Sequence, residues 1–121
     1  MPTADFGFPK AARLRRRSQY LAVQSRPGRV KGRHFLVLWR PNGLRRSRLG
    51  VTVTRRVAGA VGRNRVKRLV REAFRQAGER LPSGLDLVVV ATAGAQRLSS
   101  RQVNQELWDL WSRLRTPQAG A

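Results

Sequence analysis

The stretch RRVAGAVGRNRVKRLVREAFR, residues 55–75, places eight arginine and lysine residues in twenty-one positions. Its apolar residues nevertheless recur at helical spacing, and the pattern continues to residue 77: Val66, Leu69, Val70, Ala73, Phe74 and Ala77. On a helical wheel of roughly 100° per residue, these positions occupy one side. The spacing therefore predicts an amphipathic helix over 61–77, with a strongly basic face opposite its apolar face.

The whole chain, like this helix, carries a large excess of positive charge. The 121 residues include 26 lysines and arginines against 6 acidic residues, for a net charge of +20. Such a chain repels itself and attracts dense polyanions, so nucleic acid is the leading partner class and an anionic membrane surface is the second. No apolar run approaches the ~20 residues of a spanning helix, and no hydrophobic signal segment follows the basic ARLRRRS. We expect a soluble, cytoplasmic protein.

Length and composition predict one domain. Hydrophobic residues make up 40% of the chain, enough for a modest core. Residues 1–12 contain two prolines and a glycine without periodicity, which predicts a flexible N-terminal segment. The domain itself is expected over 13–115, followed by a C-terminal tail at 116–121. The chain has no cysteine, which excludes disulfides and thiolate metal sites.

The spacing of apolar residues along the chain predicts secondary-structure elements in the order helix, strands, helix, strand, helix. A short helix is predicted from Ser18 to about Gln24. GRHFLVLWR (32–40) and LGVTVT (49–54) alternate as two antiparallel strands around the turn PNGLRRSR. LDLVVVATA (85–93) is a continuous β-branched run typical of a covered central strand. The last helix lies within 98–115, and it begins with Ser99 and Gln102 at capping-box spacing.

Few residues in the chain can perform protein-based catalysis. Glu72 and Glu79 lie among arginines on one helix and are interpreted as partners in intrahelical charge pairs, whereas Glu106 and Asp109 are expected on a solvated helix face. His34 has no partner nearby in the sequence to orient it. GAVGRNR lacks the Gly-Lys-Ser/Thr ending of a nucleotide-binding loop. The sequence therefore predicts no catalytic site and no metal site in the protein.

Binding is what remains. On the predicted basic helix, Arg65, Arg68, Arg71 and Arg75 share one arc, spaced to meet successive phosphates, and each such contact releases counterions. Exposed rings can also stack on unpaired bases. Tyr20, Phe35 and Trp39 are the candidates, although Phe35 could pack in the core instead. Phe74, Trp108 and Trp111 lie at helical spacing and are expected in the core.

One segment resembles a known family. GVTVTRRVAGAVGRNRVKRLVREAF, residues 50–74, is similar to the signature of the bacterial ribonuclease P protein subunit, and the resemblance extends from about Arg13 to Leu114. It implies an enzyme that removes the 5′ leader from precursor tRNA, in which a catalytic RNA subunit holds the metal-dependent active site. Mg²⁺ is then the implied cofactor, held mainly by the RNA. The implied partners are that RNA, bound 1:1, and precursor tRNA, with no membrane and no DNA.

The resemblance also implies roles for particular residues. The leader would lie in a cleft between the first helix and the sheet, near Tyr20, Phe35 and Trp39, or near Leu38 in place of Trp39. The family often has a second aromatic residue where this chain has Gln24, and Gly-Asn-Ala where it has residues 58–60. The RNA subunit would be bound by a basic set consisting of Arg55, Arg56, Arg63, Asn64, Arg65, Lys67, Arg68 and Arg71.

The implied fold is an α/β (α+β) two-layer sandwich with the order αβββαβα, similar to the second domain of ribosomal protein S5. Its four-stranded mixed sheet would have a left-handed β-α-β crossover, against the general rule. Charge and fold class alone also allow a non-enzymatic ribosomal or chaperone-like RNA-binding protein. A sequence-specific DNA reader is disfavoured, because the sequence shows no helix-turn-helix or zinc-finger spacing.

Overall fold

The computed structural model describes residues 12–25 and 28–114, apart from the side chain of Glu79. The predictions for the N-terminal segment and the C-terminal tail fall almost wholly outside these residues. The described residues confirm the predicted order αβββαβα. The elements are α1 (Arg17–Ser25), β1 (Gly28–Lys31), β2 (Phe35–Pro41), β3 (Arg48–Thr52), α2 (Ala60–Ala77), β4 (Leu85–Ala91) and α3 (Ser100–Ser112).

The four strands form one mixed sheet in the order β1-β2-β4-β3. β4 pairs antiparallel with β2 and parallel with β3. The two strands predicted over 32–40 and 49–54 do run in opposite directions, but β4 lies between them. This central position explains the continuous apolar run of β4, since side chains on both of its faces are covered. Periodicity alone did not indicate β1, because a strand of four residues that begins at Gly28 gives too short a pattern; the family resemblance implied it.

The basic stretch forms α2, and its apolar side holds it to the sheet. Val66 and Val70 are fully buried, and Ala73 and Phe74 are almost so. Phe74 meets Trp111 of α3 edge to face, with ring centroids 6.4 Å apart. Each buried side chain of this size contributes about 1.5–3 kcal/mol. The helix therefore folds despite its charge.

The sheet has two different faces. On the first, Phe35, Val37 and Leu87 belong to the main core with α2 and α3. On the second, Leu38 and Val88 pack beneath α1. The sheet and the α2–α3 pair form two complete layers, while α1 covers only part of the second face.

Strand register divides the second face into three rows across the sheet. The first, formed by Arg40, Asp86 and Arg48, is polar. The next, Leu38–Val88–Gly50, lies beneath α1. The last, Leu36–Val90–Thr52, is only half-buried and is called the open row. It lies at the end of β3 from which the chain leads into α2.

A buried ion pair fixes the polar row. Asp86 is 5% exposed. It accepts hydrogen bonds from Arg48 Nε (2.8 Å) and Nη2 (2.7 Å), and a third from Asn42 Nδ2 (2.9 Å). Hydrogen bonding to Asp86 raises the pKa of Arg48, so this arginine remains charged. The network ties the β2–β3 loop to the central strand.

The prediction that Glu106 lies on a solvated helix face was wrong. Its Oε2 accepts the backbone N–H groups of His34 (2.7 Å) and Phe35 (3.0 Å), and its Oε1 lies 2.9 Å from His34 Nδ1. A Cβ at Gly32 would lie only 2.6 Å from Oε2. Glu106 thus fastens α3 to the β1–β2 turn. Asp109 is exposed, as predicted.

Candidate RNA interface

The basic set lies on α2 and on the turn that precedes it. Arg55 and Arg56 are exposed in the turn after β3, which is closed by a hydrogen bond from Val57 N to Thr54 O (3.0 Å). Asn64 and Arg68 are exposed on the outer side of the helix. The structure therefore places the predicted RNA-subunit residues on one continuous surface.

The remaining members flank the buried side of α2. Arg63 Nη1 donates to the carbonyl of Ala58 (3.0 Å), and Arg65 Nη1 makes a long contact of 3.5 Å with the carbonyl of Gln96. These neutral partners orient the side chains and leave their charge uncompensated. In the described part of the chain, no carboxylate lies within ion-pair distance of six of the residues: Arg55, Arg56, Arg63, Arg65, Lys67 and Arg68.

The acidic residue on this helix behaves as predicted. Glu72 accepts hydrogen bonds from Arg75 one turn later, and this contact holds the pKa of Glu72 below its ordinary value. The pair is exposed, so it contributes little to stability. Glu72 thus pairs with Arg75, which helical spacing had placed among the phosphate-facing arginines but which is not a member of the basic set.

Tyr20 lies on the second face of the sheet. Its ring rests on Gly50 of β3, where a Cβ would approach the ring atoms to 2.6 Å, so only glycine leaves room for it. Tyr20 remains half-buried beside the open row. The register places Lys31 of β1 at the far end of that row, next to Leu36. Tyr20 and the open row form the surface at which the leader is expected to bind, and this surface is called the leader cleft.

Arg71 connects the two surfaces, which the sequence did not indicate. Burial lowers its pKa first, and the nearby charge of Arg13 lowers it further, while Tyr20 acts in the opposite direction. Arg71 of α2 therefore interacts electrostatically with both residues, and each of these contacts β3: Arg13 bridges to Leu49, and Tyr20 lies on Gly50. The sequence placed it only with the RNA-subunit residues, because helical spacing cannot show which side chain reaches around a sheet edge.

Two of the three predicted cleft rings are elsewhere. Phe35 has no exposed surface and belongs to the main core, so its assignment to the cleft is wrong. Trp39 shares that face, since residues two apart on a strand point the same way, and its ring covers Gly28. Its assignment to the cleft is wrong as well. Leu38, the alternative to Trp39, does lie on the cleft face but beneath α1.

The described residues contain no group of three or more His, Asp or Glu side chains able to hold a metal ion. None of their helices is long and apolar enough to cross a membrane.

Fold and surface together define an α+β protein that presents a basic helix face beside a half-open apolar cleft, a combination suited to RNA. The Ribonuclease P family model matches residues 8–115, and the chain belongs to this family. The ribonuclease P protein component of Azotobacter vinelandii is 43% identical over 116 residues, covering 94% of this chain and 87% of that protein. That of Aliivibrio fischeri is 39% identical over 117 residues, covering 96% and 99%.

Solved structures of RNase P proteins share the fold of this chain. An RNase P protein from Thermotoga maritima, in complex with 1-(4-fluorophenyl)-2-thiourea, superposes with a TM-score of 0.80 at 35% identity, over 84% of this chain and 99% of that one. The protein from Staphylococcus aureus gives 0.77 at 27% identity, over 83% and 92%. The family resemblance and the fold class are thereby confirmed. The ribonuclease P interpretation is favoured over a ribosomal or chaperone-like protein.

Proposed function

We propose that this chain acts within ribonuclease P by binding two RNAs at adjoining surfaces. The basic face of α2 would bind the catalytic RNA subunit, and the leader cleft would bind the single-stranded 5′ leader of precursor tRNA. The observation that carries this proposal is that the Tyr20 ring rests on Gly50 of β3, the strand that leads into α2, so the cleft adjoins the start of the basic helix. The electrostatic interaction of Arg71 on α2 with Tyr20 supports it. A substrate strand held in the cleft would thus lie next to the RNA that cleaves it.

The chemistry of the cleft suits an unpaired strand. Tyr20 offers a ring on which a base can stack, and Leu36 and Val90 offer an apolar surface beneath it. Together with Lys31 of β1, the open row spans four strands, about 14 Å at the usual spacing. Lys31 at one end and Arg71 near the other can meet the phosphates of the strand. Stacking and charge contacts of this kind tolerate many leader sequences.

The basic face of α2 would act on phosphates of the RNA subunit. Arginine forms forked hydrogen bonds to phosphate oxygens, and each contact releases condensed counterions. Neutralising phosphates near the catalytic core would lower the repulsion that the RNA must overcome to fold and to acquire Mg²⁺. The Mg²⁺ would be held mainly by RNA, where it supplies the chemistry of phosphodiester hydrolysis. We further propose a 1:1 complex located in the cytoplasm.

Replacing Tyr20 by alanine should weaken binding of leader-bearing precursor tRNA by about 1–3 kcal/mol, the scale of one base stack. Affinity for mature tRNA, which lacks the leader, should not change. The measurement is the dissociation constant of each tRNA from the holoenzyme assembled with the variant. Equal losses for precursor and mature tRNA would contradict the assignment of Tyr20 to the leader.

The matched control is the next residue along α1. Leu21 is 48% exposed and points away from the sheet, so Leu21→Ala removes a side chain from the same helix without touching the cleft. This variant should bind both tRNAs as the unmodified protein does. A leader-specific loss in Leu21→Ala would show that disturbance of α1, rather than the ring of Tyr20, controls binding.

A further inference from the structure

The positive charge of α1 lies at its N-terminal end, where it is unfavourable. Arg15, Arg16 and Arg17 are exposed where the helix begins. Its first turn has no acidic residue, and its last turn has no basic one. The N-terminal end of a helix is the positive end of its macrodipole, so cations there destabilise it. This arrangement opposes folding of a nine-residue helix.

Nothing in the described residues neutralises this charge. The carboxamide oxygen of Gln19 accepts the backbone N–H groups of Arg15 (2.7 Å) and Arg16 (2.9 Å), so a neutral group takes the place that an acidic side chain would fill. In the part of the chain that the structure describes, no carboxylate lies within ion-pair distance of the guanidinium groups of Arg15, Arg16 or Arg17. Their charge is therefore available to a partner.

The position of these arginines brings them to α2. The segment before α1 runs along the outer edge of β3, where Arg13 bridges to Leu49 and Leu14 N donates to Leu49 O (2.9 Å). α2 packs against the same strand, and the charge of Arg13 lowers the pKa of Arg71 on α2. The start of α1 and the middle of α2 thus flank the same strand edge. We call the resulting surface the β3-edge ridge: Arg15, Arg16, Arg17, Arg68 and Arg71.

We propose that the β3-edge ridge binds the phosphate backbone of a structured RNA, and that it extends the RNA interface from α2 onto the start of α1. This inference rests on the proposed function. RNA is favoured over an anionic membrane because, among the described residues of α1, Leu21 is the only large apolar side chain that is strongly exposed, and one such side chain offers little apolar surface to a lipid. The apolar side of α1, with Val23, is buried against the sheet instead.

The test compares two double variants that each remove two exposed positive charges. R15Q/R16Q alters the ridge. R45Q/R46Q alters the β2–β3 loop, whose arginines are equally exposed and form no ion pair in the described structure. The dissociation constant of each variant is measured against salt concentration for three probes: the ribonuclease P RNA subunit, leader-bearing precursor tRNA and mature tRNA. Anionic phospholipid vesicles serve as a fourth probe.

R15Q/R16Q should weaken RNA binding roughly tenfold and reduce the log–log salt slope by about 0.7–0.9 for each lost phosphate contact. R45Q/R46Q should leave the slope unchanged. The RNA probe whose binding shows the reduced salt slope is the one whose phosphates contact the ridge.

The free R15Q/R16Q protein should also unfold at a temperature about 2–4 °C higher, because the charges removed oppose the helix dipole. A merely structural role would lower that temperature.

Several outcomes would overturn the inference. Equal losses in both double variants would indicate a general effect of net charge, and loss of vesicle binding alone would indicate a membrane. An unchanged RNA slope in R15Q/R16Q, combined with a reduced slope in R65Q/R68Q on α2, would refute the extension of the RNA interface onto the start of α1 and leave the proposed function standing. Unchanged slopes in both would refute the proposed function itself.

Discussion

Replacing Asp86 by alanine is expected to lower the free energy of unfolding by about 3 kcal/mol. Asp86 is buried on the central strand and receives two hydrogen bonds from Arg48 and one from Asn42. Removing one partner of a buried ion pair leaves the other charge uncompensated, which costs about 3–5 kcal/mol. The lower end applies because the Arg48 side chain is 22% exposed and can reach water. Urea unfolding monitored by tryptophan fluorescence measures the change.

Two further variants test whether the loss of stability in Asp86→Ala comes from the buried ion pair. Asp109→Ala removes a carboxylate that is 70% exposed and pairs with Arg113 at 3.3 Å, so it should cost less than about 1 kcal/mol. Removing both partners together, as Asp86→Ala with Arg48→Met, should recover part of the loss, because no buried charge then remains unpaired. If Asp86→Ala were as mild as Asp109→Ala, the network would not stabilise the fold.

Replacing Arg65 and Arg68 together by glutamine should weaken binding of the ribonuclease P RNA subunit by roughly ten- to a hundredfold at moderate salt. Both side chains belong to the basic face of α2, and no carboxylate in the described residues neutralises either of them. If each contacts one phosphate, the log–log salt slope should fall in magnitude by about 1.4–1.8. The measurement is a series of binding titrations at increasing salt concentration.

The pair Arg45→Gln and Arg46→Gln again serves as the charge-matched control. These residues precede β3 in the β2–β3 loop and lie outside the α2 surface. Their loss should change the affinity by less than threefold, through net charge alone. An unaltered salt slope in the Arg65/Arg68 variant would argue against direct phosphate contact by α2.

Local patterns in the sequence predicted the helices well. The spacing of Val66, Val70 and Phe74 is determined by helix geometry and by burial on one side, and the structure places α2 within one residue of the prediction. The capping box is formed as expected: Ser99 N donates to Gln102 Oε1 (2.9 Å) and Gln102 N donates to Ser99 Oγ (3.2 Å). Such features depend on residues three or four apart.

Contacts between distant residues could not be predicted in this way. Alternation shows that Phe35 and Trp39 share a face, but it cannot show which face the large helices cover. Placing these two rings in the cleft failed for that reason. Likewise, β4 separates β2 from β3 although it follows both in the chain. Glu106 bonds to His34 from 72 residues away, and Arg71 interacts electrostatically with Tyr20 although the two residues lie on different helices.

The basic face of α2 was predictable because charge must remain accessible, so the basic side of an amphipathic helix is also its exposed side. Binding of RNA by this face stays a prediction. The leader cleft was predictable only in part. Tyr20 was assigned correctly to the face that α1 crosses. The open row depends on how far α1 extends over the sheet, which no spacing in the sequence records.

The central claim is that this protein acts on an RNA enzyme and has its catalytic partner in that RNA. Its most direct test is cleavage of precursor tRNA by a bacterial ribonuclease P RNA at low Mg²⁺ concentration, with and without the protein. The account predicts little cleavage by the RNA alone, accurate removal of the 5′ leader when the protein is added, and none by the protein alone. An unchanged cleavage rate on addition of the protein would contradict it.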